Sequence, residues 1–410
     1  MSELKRTILY QAHLDAGATM VDFGGWDMPI QYPEGIIAEH LYCRRHCGIF
    51  DVSHMGRIDV EGPDQVAFLQ HVLSSNVLAL DLNQAQYCII PDANGYAIDD
   101  AYLYRFEEGK YFLVINAGNI DKDWAHLMNE AKNFDVKLTN VSDKYAAIAV
   151  QGPESKKILM TLSGGRQLTP ENVKNALNSL TMEGKPVRIA KTGYTGEPIG
   201  YELYCNSEDA RYFWDRLIEL GAKPTALGAR DTTRMEAALP LYGHEMGECE
   251  MGGEIQIYAV PLAKFAVSFD EAKGDFIGRE PLRKQFEALK KIMNRDYSSI
   301  EDLPYRIQPI YLEGKGVLRK GFPIYCKDAW AEGKQIGYVT SGTMIPYYKT
   351  EGQGLESVFT DETGKRSIGL AYMDSRICQD FDIEIDIRGR RQPAKVVGYH
   401  IRQDAAPYVR

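Results

Sequence analysis

Apolar and polar positions along the front of the chain switch between two periods. Apolar residues three and four apart mark helices in "GIIAEHLYCRRHCGIFD", which Gly48 is expected to end, in "GPDQVAFLQHVL", with Pro63 and Asp64 in its first turn, and in "NIDKDWAHLMNEAKNF". Strict alternation marks a strand in "GRIDVEG" and a three-strand meander over 86–90, 96–106 and 111–117, joined by "PDANG" and "EEGK" turns. Beyond Asp143 the same kinds of element recur. "KYAAIAVQG" predicts a strand, "PESKKILMTL" a helix and "KPVRIAKTGYTGEPIGYELYC" a hairpin around a glycine-rich connection. "SEDARYFWDRLIELG" and "ALGARDTTRMEAALPLYG" predict two more helices, the last stopping near Pro240. From about Pro309 the pattern turns to short strands with Gly and Pro turns: "IQPIYLEG", "QIGYVTSG", "SIGLAYM", "DIEIDIRG" and "PAKVVGYH". These predict a small β-barrel or sandwich. Two polar stretches, 293–303 and 347–366, read as surface insertions. The fold class is thus α+β in front and all-β behind.

One strand carries two awkward residues. "NGYAIDDAYLYRF" opens on an Asn94-Gly95 turn and places Asp99 and Asp100 near the start of the strand. Asp is disfavoured in strand interiors. Parity separates the two, because side chains alternate faces. Ile98, Asp100, Tyr102, Tyr104 and Phe106 share one face, and Asp99 shares the other with Ala101, Leu103 and Arg105. Asp100 is therefore the acid on an aromatic face. Asp99 reads as a turn or salt-bridge residue.

Composition narrows the class. The chain has 410 residues, enough for two or three domains, with 44% hydrophobic and 25% charged residues. A net charge of −10 without a basic run argues against a nucleic-acid role. No apolar stretch approaches the roughly 20 residues of a membrane span, and the start lacks a secretory apolar core. Seven scattered cysteines without a CxxC pair argue against a disulfide framework or a zinc site. Cys43 and Cys47 stand at helical spacing and are expected to pack inward. A reduced, cytoplasmic setting is expected.

The absences guide the search for chemistry. No Walker A loop, GxGxxG, HExxH or GxSxG occurs, and the histidines have no metal spacing. Ser53 and His54 are adjacent on extended chain and point apart, so they do not make a nucleophile–base pair. Carboxylates, tyrosines and arginines remain. "GARDTTR" sets Arg230 and Arg234 on one helix face, either as a surface ion network with Asp231 or as a bidentate grip on a ligand carboxylate. Glu202, just inside a strand after a glycine-rich loop, could accept two parallel N–H bonds from a guanidine-like ring edge, such as a pterin presents.

Nine motifs in order, "VDFGGWDMPIQYPEGIIAEH", "GIFDVSHMG", "NGYAIDD", "FLVINAGNIDKDW", "AVQGP", "KTGYTGE", "LGARDTTRMEAALPLYGHEM", "GDFIGREPL" and "VTSGT", resemble the T-protein (aminomethyltransferase) family of the glycine cleavage system. The resemblance is continuous from about residue 5 to 285 and looser beyond. It implies a three-domain cloverleaf around a tetrahydrofolate site, with ferredoxin-like α/β parts and a C-terminal β-barrel. The implied domains are 1–55 with 143–285, then 56–142, then 286–410. It also implies transfer of an aminomethyl group from the lipoyl arm of H-protein to tetrahydrofolate, giving methylenetetrahydrofolate and ammonia. By the same resemblance Asp100 is the catalytic acid, Glu202 grips the pterin and Arg230 binds the folate. Tyr408 in "APYVR" corresponds to a further pocket position, and Tyr87, Asn116, Tyr194, Met55 and Tyr104 line the same pocket.

Three departures from the family's pattern keep a second reading open. The hairpin "GEPIGYE" is one residue longer around Pro198 and Ile199, "GECEMGGEIQIYAVPLAKFAVSF" follows "GHEM", and 347–366 fills a short connection. They touch the region that meets the second substrate. The alternative is a tetrahydrofolate-dependent demethylase of the same superfamily, taking a methyl group from N, O or S of a small molecule. A folate-binding protein without transferase activity is disfavoured, because its "KGCYxGQE" signature is replaced by "KTGYTGE", which has no cysteine.

Overall fold

Two sheets packed face to face make up the front of the molecule. A computed structural model describes residues 3–327, 330–379 and 381–401. The first sheet has six strands in the order Leu177–Met182, Lys185–Ala190, Gly200–Asn206, Tyr145–Gln151, Gly48–Asp51 and Lys223–Pro224. Only its last pair is parallel. The second has five antiparallel strands in the order Gln84–Pro91, Ala97–Glu107, Lys110–Ile115, Gly56–Glu61 and Lys137–Asn140.

Period-two burial explains the layering. On strand Tyr145–Gln151, Ile148 and Val150 pack beneath helices Ser155–Leu162 and Ala210–Glu219. Ala147 and Ala149 face the opposite way, into a core shared with Tyr104, Phe106, Phe112 and Val114 of the second sheet. On that sheet Ala101, Leu103, Leu113 and Ile115 pack with helices Gln65–Val72 and Ile120–Glu130. The order is helix, sheet, sheet, helix, with an aromatic layer in the middle. Each aromatic buried there contributes about 1.5–3 kcal/mol, which ties the two sheets together.

Behind them stands a closed antiparallel barrel, Tyr305–Leu312, Val358–Asp374, Gln335–Glu351, Pro323–Cys326, Asp382–Asp386 and Arg391–Val396, whose last strand pairs back to the first. A separate core joins it to the front: Ile89 and Ala97 of the second sheet pack with Leu282 and Ile292 of helix Arg279–Met293 and with barrel residues Ile307, Tyr338 and Tyr372. The α+β front and the β-barrel are as expected from the pattern. The first sheet draws its strands from 48–51 and 145–224, the second from 56–140 and the barrel from 305–396. The expected division at 285/286 falls inside helix Arg279–Met293.

Several local expectations are corrected. The helix Gly35–Arg45 ends before Gly48, which opens the next strand instead. Its glycine is needed for close approach, since a Cβ there would stand 2.7 Å from Thr225 Oγ1. Cys47 consequently lies beyond the helix, yet it and Cys43 are both buried as free thiols. The stretch 347–366 is no loose insertion. It is the outer part of a long hairpin whose strands Gln335–Glu351 and Val358–Asp374 pair almost to their tips. Arg45 stacks on Tyr348 of this hairpin at 4.0 Å and pairs with Asp361 at 2.7 Å.

Candidate active site

Asp100 stands at the start of strand Ala97–Glu107, just after a register shift. Ile90 pairs with Asp99 and Pro91 with Ala97, so Ile98 is an extra, bulged residue. Ile98 accordingly packs on the helix-side core rather than with Tyr102 and Tyr104. From Asp99 onward parity holds. Asp100 Oδ2 accepts a 2.9 Å hydrogen bond from the Tyr87 hydroxyl, and Oδ1 accepts one of 2.8 Å from Asn116 Nδ2. Burial, followed by the charge of Asp99, pushes the Asp100 carboxyl up to about 7, against those two hydrogen bonds.

Asp99 is not the expected turn or salt-bridge residue. It is fully buried, and Arg105 instead contacts the Leu80 carbonyl and Glu108. Its Oδ2 accepts from the backbone N–H of Asn116 at 2.9 Å. Its Oδ1 accepts from Asn116 Nδ2 at 2.9 Å and Asn119 Nδ2 at 2.6 Å. Asn116 therefore bridges both aspartates.

A row of three tyrosines runs from Asp100 along the same face. Tyr87 lies 5.7 Å from Tyr102, and Tyr102 lies 5.8 Å from Tyr104. The Tyr104 hydroxyl then donates to Glu202 Oε2 at 2.9 Å, across the gap between the sheets. Thr192 Oγ1 also donates to that oxygen at 2.6 Å, and the Tyr204 hydroxyl stands 3.4 Å away. Burial and the Glu202 charge hold the phenols of Tyr104 and Tyr204 well above their ordinary range, so both remain donors. Tyr204 was legible as i+2 from Glu202 on the same face. Thr192 carried no local signal, because it reaches Glu202 across a strand pair.

The glycine-rich loop before Glu202 is fixed from below. The Gln151 amide donates to the Thr192 and Tyr201 carbonyls at 3.2 and 3.0 Å and accepts from Thr195 Oγ1 at 2.7 Å. A Cβ at Gly193 or Gly200 would lie 2.1 or 2.4 Å from that amide, so only glycine fits there. This clamp sets the positions of Tyr194, whose hydroxyl donates to the Pro240 carbonyl, and of Glu202.

Arg230 comes from helix Leu227–Glu236 and lies 6.0 Å over Phe50, near Glu202, Tyr194 and Tyr204. Its Nη1 is buried and has no hydrogen-bond partner among the described residues. Arg234 is no part of a surface network. It is buried, bonded to Asp231 at 2.8 Å and to Glu245 at 3.0 Å. Met55 packs half-buried on the aromatic layer. Ser53 bonds the Ala147 backbone, not His54, whose imidazole burial pulls down to about 4 and keeps neutral. Tyr408 lies outside the described residues. A cavity of about 540 Å³ opens on this assembly, lined by Tyr102, Thr192, Gly193, Lys191, Lys174 and Asn175 among others. Among the described residues no His, Cys, Asp and Glu group is arranged to hold a metal ion.

Eight of the nine expected site residues thus have described positions. Tyr87 and Asn116 touch Asp100, Tyr104 touches Glu202, and Tyr102 bridges the two groups. The arrangement offers acceptors at both ends of an aromatic wall, with the buried Arg230 Nη1 nearby, which has no hydrogen-bond partner among the described residues.

The GCVT N-terminal domain matches residues 9–258. Among curated proteins, the aminomethyltransferase of Deinococcus deserti is 38% identical over 394 residues, 95% of each chain. That of Desulfitobacterium hafniense is 39% identical over 402 residues, 97% of this chain and 98% of the relative. Among solved structures, the glycine cleavage system aminomethyltransferase T of Bartonella henselae superposes with a TM-score of 0.76 at 26% identity, covering 99% of this chain and 98% of that one. The chain belongs to the T-protein (aminomethyltransferase) family of the glycine cleavage system.

Proposed function

We propose that this enzyme moves a one-carbon unit from aminomethyl-lipoyl H-protein to tetrahydrofolate and releases ammonia. The carrying observation is the tyrosine row with Asp100 at one end and Glu202 at the other. A flat ring with an amidine edge at Glu202 and amines toward Asp100 suits such a wall. The buried Arg230 Nη1 is a second point of fit, a donor with no acceptor among the described residues. Tetrahydrofolate supplies the nucleophilic amine that accepts the carbon.

The residues then have distinct roles. Glu202, fixed by Tyr104 and Thr192, orients the ring edge. Arg230 holds an acceptor of the same molecule, while Tyr87, Tyr194, Tyr104, Asn116 and Met55 shape the wall. Asp100, oriented by Tyr87 and Asn116, faces the reacting amines and opposes the positive charge that develops as the carbon is transferred. Holding both substrates in register supplies much of the rate. Seven free thiols support a reduced, cytoplasmic setting, and among the described residues no helix is long and apolar enough to cross a membrane.

A product assay tests the whole reading. With tetrahydrofolate and loaded H-protein, methylenetetrahydrofolate and ammonia are expected. Methyltetrahydrofolate formed from a panel of N-, O- and S-methyl donors, with no turnover of H-protein, would replace this reading by the demethylase one.

A further inference from the structure

Behind Asp100 lies a third buried carboxyl that neither the fold nor the proposed chemistry requires. Asp123 sits in the first turn of helix Ile120–Glu130 and is fully buried. The Asp99 carboxyl is its close neighbour, near enough to act on it by charge and as a hydrogen-bonding group. Neither oxygen of Asp123 receives a hydrogen bond from any donor among the described residues. Asp99, by contrast, receives three from Asn116 and Asn119. Two buried carboxyls in contact cannot both stay ionised without a cation between them. The donors decide which one keeps the charge: Asp99 is saturated with N–H groups, and Asp123 has none.

We propose that Asp123 is a positioning residue that carries a proton, donates it as a hydrogen bond to ionised Asp99, and so locks Asp99 and Asn116 as a singly charged platform behind Asp100. The groups facing Asp123 agree with this. Asp99 and Asp100 come from strand Ala97–Glu107 and both favour a neutral Asp123. Tyr242, from the loop after helix Leu227–Glu236, adds a neutral phenol, whose own ionisation the three aspartates oppose. Lys122, on the same helix, is a cation that opposes it, and its Nζ is spent on the Tyr242 hydroxyl at 2.8 Å. The helix N-terminus also favours an anion, but its asparagine donors at 116 and 119 serve Asp99. Burial and the neighbouring charges push the Asp123 carboxyl far above the ordinary carboxylate range, in the same direction.

The consequence reaches Asp100 through one amide. Asn116 Nδ2 bonds Asp99 Oδ1 and Asp100 Oδ1 together, so fixing Asp99 fixes the Asp100 carboxyl. The single charge on Asp99 also keeps Asp100 hard to ionise. Only this last link rests on the proposed role of Asp100; the shared proton does not.

Infrared difference spectroscopy on the purified protein, with no substrate, tests the proton directly. At pH 9, where Asp100 is ionised, the C=O stretch of a protonated carboxylic acid should persist. It should vanish in Asp123→Asn and survive in Asp100→Asn. No such band in the native protein, or a band that survives Asp123→Asn, would overturn the proposal. Kinetics tests the positioning. Asp123→Ala should lower kcat at least tenfold and displace the Asp100 titration in the kcat/KM profile. Asp123→Asn, which still donates to Asp99, should restore both. Equal losses in the two variants would show that Asp123 acts through its charge or its exchangeable proton, against the proposal. Should Asp123→Ala not fold, the infrared comparison in Asp123→Asn and Asp100→Asn still decides.

Discussion

Asp99 and Asp100 are neighbours in sequence and opposites in environment. Alternation alone separated them and put Asp100 among tyrosines, which is where it lies. What alternation could not supply was the far side: the partners of Asp99 come from a strand end and a helix start 17 and 20 residues on. No local pattern joins them, so an acid that read as a turn residue is in fact a buried support. The raised Asp100 carboxyl gives a pH prediction. Its charged form opposes developing positive charge, so kcat/KM for tetrahydrofolate should rise with pH through about 7 as Asp100 loses its proton. Asp100→Asn should remove that rise and lower kcat by about 10²–10⁴-fold, with folate binding retained in calorimetry. Full activity in this variant would remove Asp100 from the chemistry.

At the scale of elements, the signal tracks burial on one face. The meander and the hairpin around "TGYTGE" were legible because each strand has a wet or helical side and an aromatic side. The bulge at Ile98 was not, because one inserted residue changes the register without changing the composition. The outer hairpin was not either. Within 347–366 its strand residues are only half-buried or exposed on both faces, so no apolar period marks them. Its base is held by buried charge. Glu236 of helix Leu227–Glu236 takes Arg44 at 2.9 Å, His40 at 3.2 Å and Arg366 of the hairpin at 2.8 Å. Against its burial, the charges of Arg44 and Arg366 and the contact with His40 hold the Glu236 carboxyl well below its ordinary range. A depressed carboxyl contributes stability above its unfolded pKa and loses it as pH falls toward the folded value. Glu236→Gln takes one counter-charge from buried Arg44, which keeps Glu197 at 2.7 Å, and one from half-buried Arg366; it should cost about 1–3 kcal/mol, read as a lower denaturation midpoint at neutral pH. The loss should shrink as the pH falls below about 4; a loss that does not change with pH would mean that packing rather than charge holds this joint.

Across the whole molecule, the proposed site belongs to no single sheet. Asp100 and Tyr104 come from one, Glu202 and Tyr204 from the other, and Arg230 from a helix that also bonds the barrel hairpin through Glu236. Sequence motifs located most of these residues but not their meeting, since the aromatic layer that joins the sheets is built from side chains about a hundred positions apart. A ligand lying along that layer would contact both sheets at once and stabilise them as a unit. At a hundred times its Kd it adds about 2.7 kcal/mol to folding stability. Tetrahydrofolate should therefore raise the melting temperature of the whole chain in one transition rather than sharpen one of several. Glu202→Ala and Arg230→Ala should each weaken that shift, by about 1.5–3 kcal/mol of binding for a hydrogen bond to a charged group, as read by calorimetric titration. An undiminished shift in either variant would place the ligand elsewhere, because both side chains lie in the gap between the sheets and no binding along the tyrosine row could avoid them.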